Sequence, residues 1–185
     1  KPAFQQFLKS VTFDAADAHP PVAAAAAPAL PDSHPPVGST SKLPTWEAPA
    51  GWEQQPPSSM LLARFAIKDA SSGKAEVTVS AFPGDVGGLL ANVNRWRNQI
   101  GLAAIGASEL NNVTAPLDLN GTKGTLVEMT NPKPSGGGGA NRILVALLPH
   151  GGQTWFFKLL GDDAVVSQQK AALIKFVQSV RFPNA

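Results

Sequence analysis

Seven of the chain's 17 prolines (Pro20, Pro21, Pro28, Pro31, Pro35, Pro36 and Pro44) fall between residues 20 and 44. The same stretch holds the alanines 23–27 and Gly38-Ser39-Thr40-Ser41, and it contains no aromatic residue. Proline fixes φ and removes a backbone donor, so neither a long helix nor a central strand runs through such text. Without large apolar side chains the stretch cannot offset the entropy of ordering it. Residues 14–44 therefore read as a semi-extended linker of polyproline type, reaching at most ~3 Å per residue. It divides the 185 residues unequally, into a 13-residue segment before it and a domain of residues 45–185 after it.

The short segment has a counterpart at the other end of the chain. Lys1-Pro-Ala-Phe-Gln-Gln-Phe-Leu-Lys-Ser-Val-Thr-Phe13 aligns without gaps on Lys170-Ala-Ala-Leu-Ile-Lys-Phe-Val-Gln-Ser-Val-Arg-Phe182, with six of 13 positions identical. Phe4, Phe7, Leu8 and Val11 recur at helical spacing. Internal similarity marks a repeated unit. Residues 1–13 are expected to be an amphipathic helix that closes a preceding, similar module. Convergence of two amphipathic helices on one pattern is the plainer alternative.

The domain reads as strands and helices in alternating blocks. Met60–Lys68 and Lys74–Phe82 are strand-like around Ser71-Ser72-Gly73. Gly87–Ile100 is a predicted helix with Leu89, Val93, Trp96 and Ile100 on one face, Asp85 as a candidate cap and Gly101 as its stop. Ala115–Leu119 and Thr122–Thr130 flank Asn120-Gly121, the strongest short hairpin signal. After a loop through Gly136–Gly139, Arg142–Leu148 and Gln153–Leu160 form a second hairpin. Asp162 is expected to cap a last helix reaching about Val180, with the stripe Val165, Val166, Ala172, Leu173, Phe176, Val177 and Val180. Short hairpins between strands imply an α+β domain, an antiparallel β-sheet flanked by helices.

Composition removes whole classes of function. A hydrophobic share of 43% supports a core. A net charge of +2 is too small for a dedicated nucleic-acid binder, despite a pI of 9.1. The absence of cysteine excludes disulfides, zinc–cysteine sites, iron–sulfur clusters and thiol catalysis. No apolar run reaches the roughly 18 residues of a membrane span. His150 is the sole histidine after the linker, and it sits in a turn where a solvated role is the default. His19 and His34 lack companions for a metal, the carboxylates form no recognisable pair, and no metal or other cofactor is expected.

The most unusual text is Asn92-Val-Asn-Arg-Trp-Arg-Asn-Gln99. On a helix, Asn92, Arg95 and Gln99 share one face, while Asn94, Arg97 and Asn98 share another. Two guanidiniums and several amides suit a carboxylate, a phosphate or a partner's backbone. They suit hydrogen bonds to neighbouring loops of the same domain equally well. Asn92, Asn94, Arg95, Arg97, Gln99 and Lys158 are the candidate binding residues. Gly84-Asp85-Val86-Gly87-Gly88 is neither a dinucleotide fingerprint nor a P-loop, and tight packing accounts for its glycines. Trp52 and Trp155 are expected in the core.

Pro49-Ala-Gly51-Trp52, Asn92-Val-Asn-Arg-Trp-Arg97, Trp155-Phe-Phe-Lys158 and a closing Gln178-Ser-Val-Arg-Phe182 together resemble the Mog1/PsbP-like α/β/α family. More specifically they resemble bacterial exported proteins and lipoproteins of uncharacterised function. The resemblance spans about residues 46–183. It implies a curved antiparallel sheet between helices, a periplasmic or membrane-anchored location, and action through protein binding. The expectation is a non-enzymatic exported binding or scaffold module in a tandem-repeat protein, with a protein partner and no nucleic acid. The alternative is a small-ligand or anion-binding protein or enzyme that uses a cleft near Gly87, Arg95 and Lys158. Catalysis and oligomeric state are left open.

Overall fold

A computed structural model describes residues 43–58, 60–69, 73–119, 121–133 and 141–183. Seven strands form one sheet: β1 (Glu53–Gln55), β2 (Ala63–Asp69), β3 (Gly73–Pro83), β4 (Thr114–Leu119), β5 (Thr122–Thr130), β6 (Arg142–His150) and β7 (Gln153–Gly161). Two helices, α1 (Gly88–Gln99) and α2 (Asp163–Ser179), and a 3₁₀ helix (Ala107–Asn112) complete the domain. The strand order is β1-β2-β3-β7-β6-β5-β4, antiparallel throughout. The expected α+β architecture is thus the observed one. The segments 1–13 and 14–42, the Ser71-Ser72 turn, Asn120 and the glycine loop at 136–139 lie outside the described residues.

Alternation decides which strands are buried on both sides. In β3, Ala75, Val77 and Val79 face α2, and Glu76, Thr78 and Ser80 face the opposite way. In β6 every residue from Ile143 to Leu148 is buried, because both helices cover it. The larger core lies under α2, where Phe176 meets Trp46, Trp52, Phe65 and Phe157 at centroid distances of 5.1–6.0 Å. Edge-to-face rings of this kind add to the area they bury. The smaller core lies under α1, where Val93, Trp96 and Ile100 meet Val127, Met129, Ile143, Val145, Leu147 and Phe156.

Two elements were not expected. β1 is three residues of polar text cut short by Pro56-Pro57, and it exists because β2 offers an edge to pair with. The 3₁₀ helix fills the crossing from α1 to β4 and is capped by Glu109, whose carboxylate accepts the Gly106 N–H at 3.0 Å. Pro44, at the far end of the expected linker, is buried, and Thr45 pairs with Arg181 through two backbone hydrogen bonds.

Three local expectations are corrected. Asp85 does not cap α1: the residue before the helix is Gly87, at φ +76°, and no side chain caps it. Asp162 precedes α2, but its Oδ2 accepts the Lys74 N–H at 2.7 Å instead of capping its own helix. Asn141 takes over, accepting the Asp163 N–H at 2.6 Å. His150 is not a solvated turn residue, since its ring stacks on Phe182 with centroids 3.8 Å apart.

Candidate functional site

α1 separates the expected binding residues into two groups. Asn92 is 3% exposed; its amide donates to Val86 O at 2.7 Å and Gly88 O at 2.9 Å, and so ties down the helix's first turn. Asn94 brackets Ile105, donating to its carbonyl at 3.0 Å and accepting its N–H at 2.8 Å. Arg97 Nε donates to Ala103 O at 2.6 Å. These three side chains hold the helix and the loop after it, as loop-bonding amides do when they earn their place on a helix.

Arg95, Gln99 and Lys158 come together on the flank away from Asn94 and Arg97, the flank that Asn92 also shares. Arg95 is exposed, and its Nη2 donates to Asn92 Oδ1 at 2.5 Å. Gln99 is exposed, with Oε1 3.5 Å from Lys158 Nζ. Lys158 stands in β7 beside Thr78 of β3, which in turn faces Arg64 of β2. The next row carries Glu53, Ala66 and Glu76. The smaller core takes Phe82 from β3 and, among the described residues, nothing from β1 or β2. An open polar shelf therefore lies at the foot of α1, floored by β1–β3 and walled by Arg95 and Gln99.

The charges on this shelf are unequally matched. Arg64 pairs with Glu76 at 2.5 Å, and Lys68 pairs with Glu53 at 3.3 Å. No ion pair joins Arg95 or Lys158 to a carboxylate among the described residues. Burial pushes the Lys158 ammonium below the ordinary lysine range; the Glu76 charge resists this, and the Arg95 charge adds to it. The cation is thus partly stripped of water, with an amide oxygen near it. Arg64 completes the shelf, with the buried Thr78 between it and Lys158, and both were missed in the sequence. The alternation of β2 and β3 assigns them to the polar face, but the ladder alone brings that face beside Lys158.

The glycines of the turn before α1 answer to backbone conformation and not to the tight packing expected of them, since a Cβ at Gly84, Gly87 or Gly88 would meet nothing within 4 Å. Gly87 and Gly88 have φ of +76° and +75°, which side chains rarely adopt. Beside this turn lies a cavity of about 370 Å³ lined by Asp85, Leu89, Asn92, Lys123, Leu147 and Phe156 among others. Gly87, Arg95 and Lys158 are not among its lining residues, so this cavity is distinct from the shelf. Among the described residues no group of three His, Asp or Glu could hold a metal, and no helix is long and apolar enough to cross a membrane.

Across the sheet, Glu128 joins β5 to α2. It bonds Lys170 at 2.5 Å and also pairs with Arg142, which reaches Asp163 at 2.9 Å. Burial, the largest single influence, raises the Glu128 carboxyl, but the hydrogen bonds and charges of Lys170 and Arg142 together hold it below the usual range.

No family model matches the chain, and no curated protein matches it in sequence. The chain is similar to several solved structures. A Bacteroides thetaiotaomicron protein is 9% identical with a TM-score of 0.47, over 76% of this chain and 45% of its own length. The cyanobacterial PsbP of Synechocystis is 14% identical with a TM-score of 0.46, over 80% of this chain and 96% of its own. LpqN of Mycobacterium tuberculosis, described as involved in cell envelope biogenesis, is 17% identical with a TM-score of 0.44, over 80% and 88%.

Proposed function

We propose that the domain is a non-enzymatic binding module whose shelf receives a carboxylate-bearing segment of a protein partner. The observation that carries this is Lys158: a partly desolvated ammonium beside the Arg95 guanidinium, paired with no carboxylate among the described residues. A carboxylate entering between Lys158 and Arg95 gains charge-assisted hydrogen bonds, worth ~1.5–3 kcal/mol each. Exposed Gln99 borders the same space and adds a polar contact. The open shelf suits an extended segment better than an enclosed small molecule. An exported location belongs to this proposal and rests on the resemblance read from the sequence.

The test is a titration with a fluorescent glutamate-rich peptide at low and at physiological salt. Binding should weaken with salt, as exposed charge pairs do. Arg95→Ala and Lys158→Met should each weaken it about tenfold or more, the equivalent of ~1.4 kcal/mol. Equal affinity in wild type and both variants removes the shelf from the function. The cavity of about 370 Å³ beside α1 favours a second reading, a small-ligand binder. Stabilisation by a small metabolite that survives both substitutions but is lost in Leu89→Trp selects that reading.

A further inference from the structure

The fold gives a reason for each of the six residues shared by the two ends of the chain. In the C-terminal copy, Phe176 is the centre of the aromatic cluster under α2 and is 1% exposed. Val180 is buried, and Ala172 packs against the same core. Lys170 reaches Glu128 of β5. Ser179 Oγ donates to Phe176 O at 2.7 Å and accepts the Glu47 N–H at 2.9 Å, so it binds the incoming chain to the helix end. Phe182, beyond the helix, stacks on His150 and meets the edge of Trp155 at 5.0 Å.

Seven positions differ, and one of them breaks the apolar pattern, because half-buried Ile174 is matched by Gln5. All four exposed positions, Ala171, Lys175, Gln178 and Arg181, carry another residue in the first copy. Two buried positions, Leu173 and Val177, are exchanged for apolar Phe4 and Leu8. Amphipathic periodicity accounts for apolar type at helical spacing. It does not account for a serine at the helix end or a phenylalanine past it, because those residues answer to a neighbouring chain segment and to rings on a sheet. We infer that Lys1–Phe13 is the closing segment of a second module of this fold in the same polypeptide, made to seat on that module's own sheet. Residues 14–42 then join two such modules, which could engage one partner together and gain avidity.

Two measurements test this. In the 185-residue chain, Phe7→Ala and Phe13→Ala should leave the melting of the domain unchanged within about 1 °C, whereas Phe176→Ala should lower it by at least ~10 °C. A drop with Phe7→Ala that matches Phe176→Ala would place the segment on this domain and overturn the inference. The coding sequence upstream of Lys1 should encode a further run of hairpin-linked strands, with a tryptophan ahead of the first strand and an aromatic strand before the closing helix. In the longer protein Phe7→Ala should lower one of two melting transitions and Phe176→Ala the other. An upstream sequence without such strands sinks the inference, whatever the fate of the shelf.

Discussion

On the α2 face of the sheet, β2, β3, β5, β6 and β7 all send apolar side chains into one core. On the α1 face that supply stops near β7, and β2 and β3 turn Arg64, Lys68 and Glu76 outward instead. The strands are the same; the difference lies in the reach of the helices. α2 runs 17 residues and is joined to its core by rings from β1's approach, β2 and β7. α1 runs 12 residues and covers only the other half. A sheet face left uncovered must be polar, and a helix ending on it makes a corner. Stability is thus concentrated on one face and the open chemistry on the other.

That division can be broken first where it is deepest. Phe176→Ala should cost about 3–5 kcal/mol in urea unfolding, since the four rings around it cannot all collapse into the gap. Asn94→Ala comes next, at about 1–3 kcal/mol, because it strips both backbone groups of Ile105 of their partner. A negligible loss there would mean that the loop after α1 holds itself.

Glu128→Gln probes the α2 face by pH. Its carboxyl is held low in the fold, so its stabilisation is present above the unfolded carboxyl range and is lost as pH falls through the folded value. The variant should be less stable than wild type at pH 7, and the two urea midpoints should converge towards pH 3. Lys158 has the opposite sense. Its folded value is lowered, so the charged native state is penalised at neutral pH, and stability rises as pH climbs from the folded towards the unfolded lysine value. Lys158→Met should melt above wild type at pH 7, with the gap closing near pH 10–11, while losing affinity for the acidic peptide. A site that weakens its own fold is the usual trade of stability for function. A lower melting point at pH 7 would show that the contacts of the ammonium outweigh its burial. Arg95→Ala should cost about 1 kcal/mol in stability, because it takes one donor from Asn92 Oδ1, and should show its larger effect in binding.

Most of the sheet was legible. Asn120-Gly121 marked one hairpin, Arg142–Leu148 and Gln153–Leu160 read as a second, and the alternation of Lys74–Phe82 marked the polar and apolar faces of β3. Local signals of this kind act over a few residues and need no partner to be read. β1 was not legible, because Glu53–Gln55 has no pattern of its own and is a strand only where β2 lies alongside. The caps failed for a similar reason. Asp162 has the composition of a cap, but the Lys74 N–H, 88 residues away, competes for its carboxylate and wins.

The candidate site divides along the same line. That Asn92–Gln99 is a helix with two polar flanks follows from its periodicity. Which flank is spent on the protein itself does not, because a guanidinium or amide bonds whichever carbonyl the chain brings within 3 Å. The loop to Ile105 came back along one flank and consumed Asn94 and Arg97, while the β3–β7 ladder placed Lys158 beneath the other. Side-chain type and spacing are properties of the chain, written residue by residue. The partner of a polar group is a property of distance, and distance between remote segments exists only once the sheet has closed.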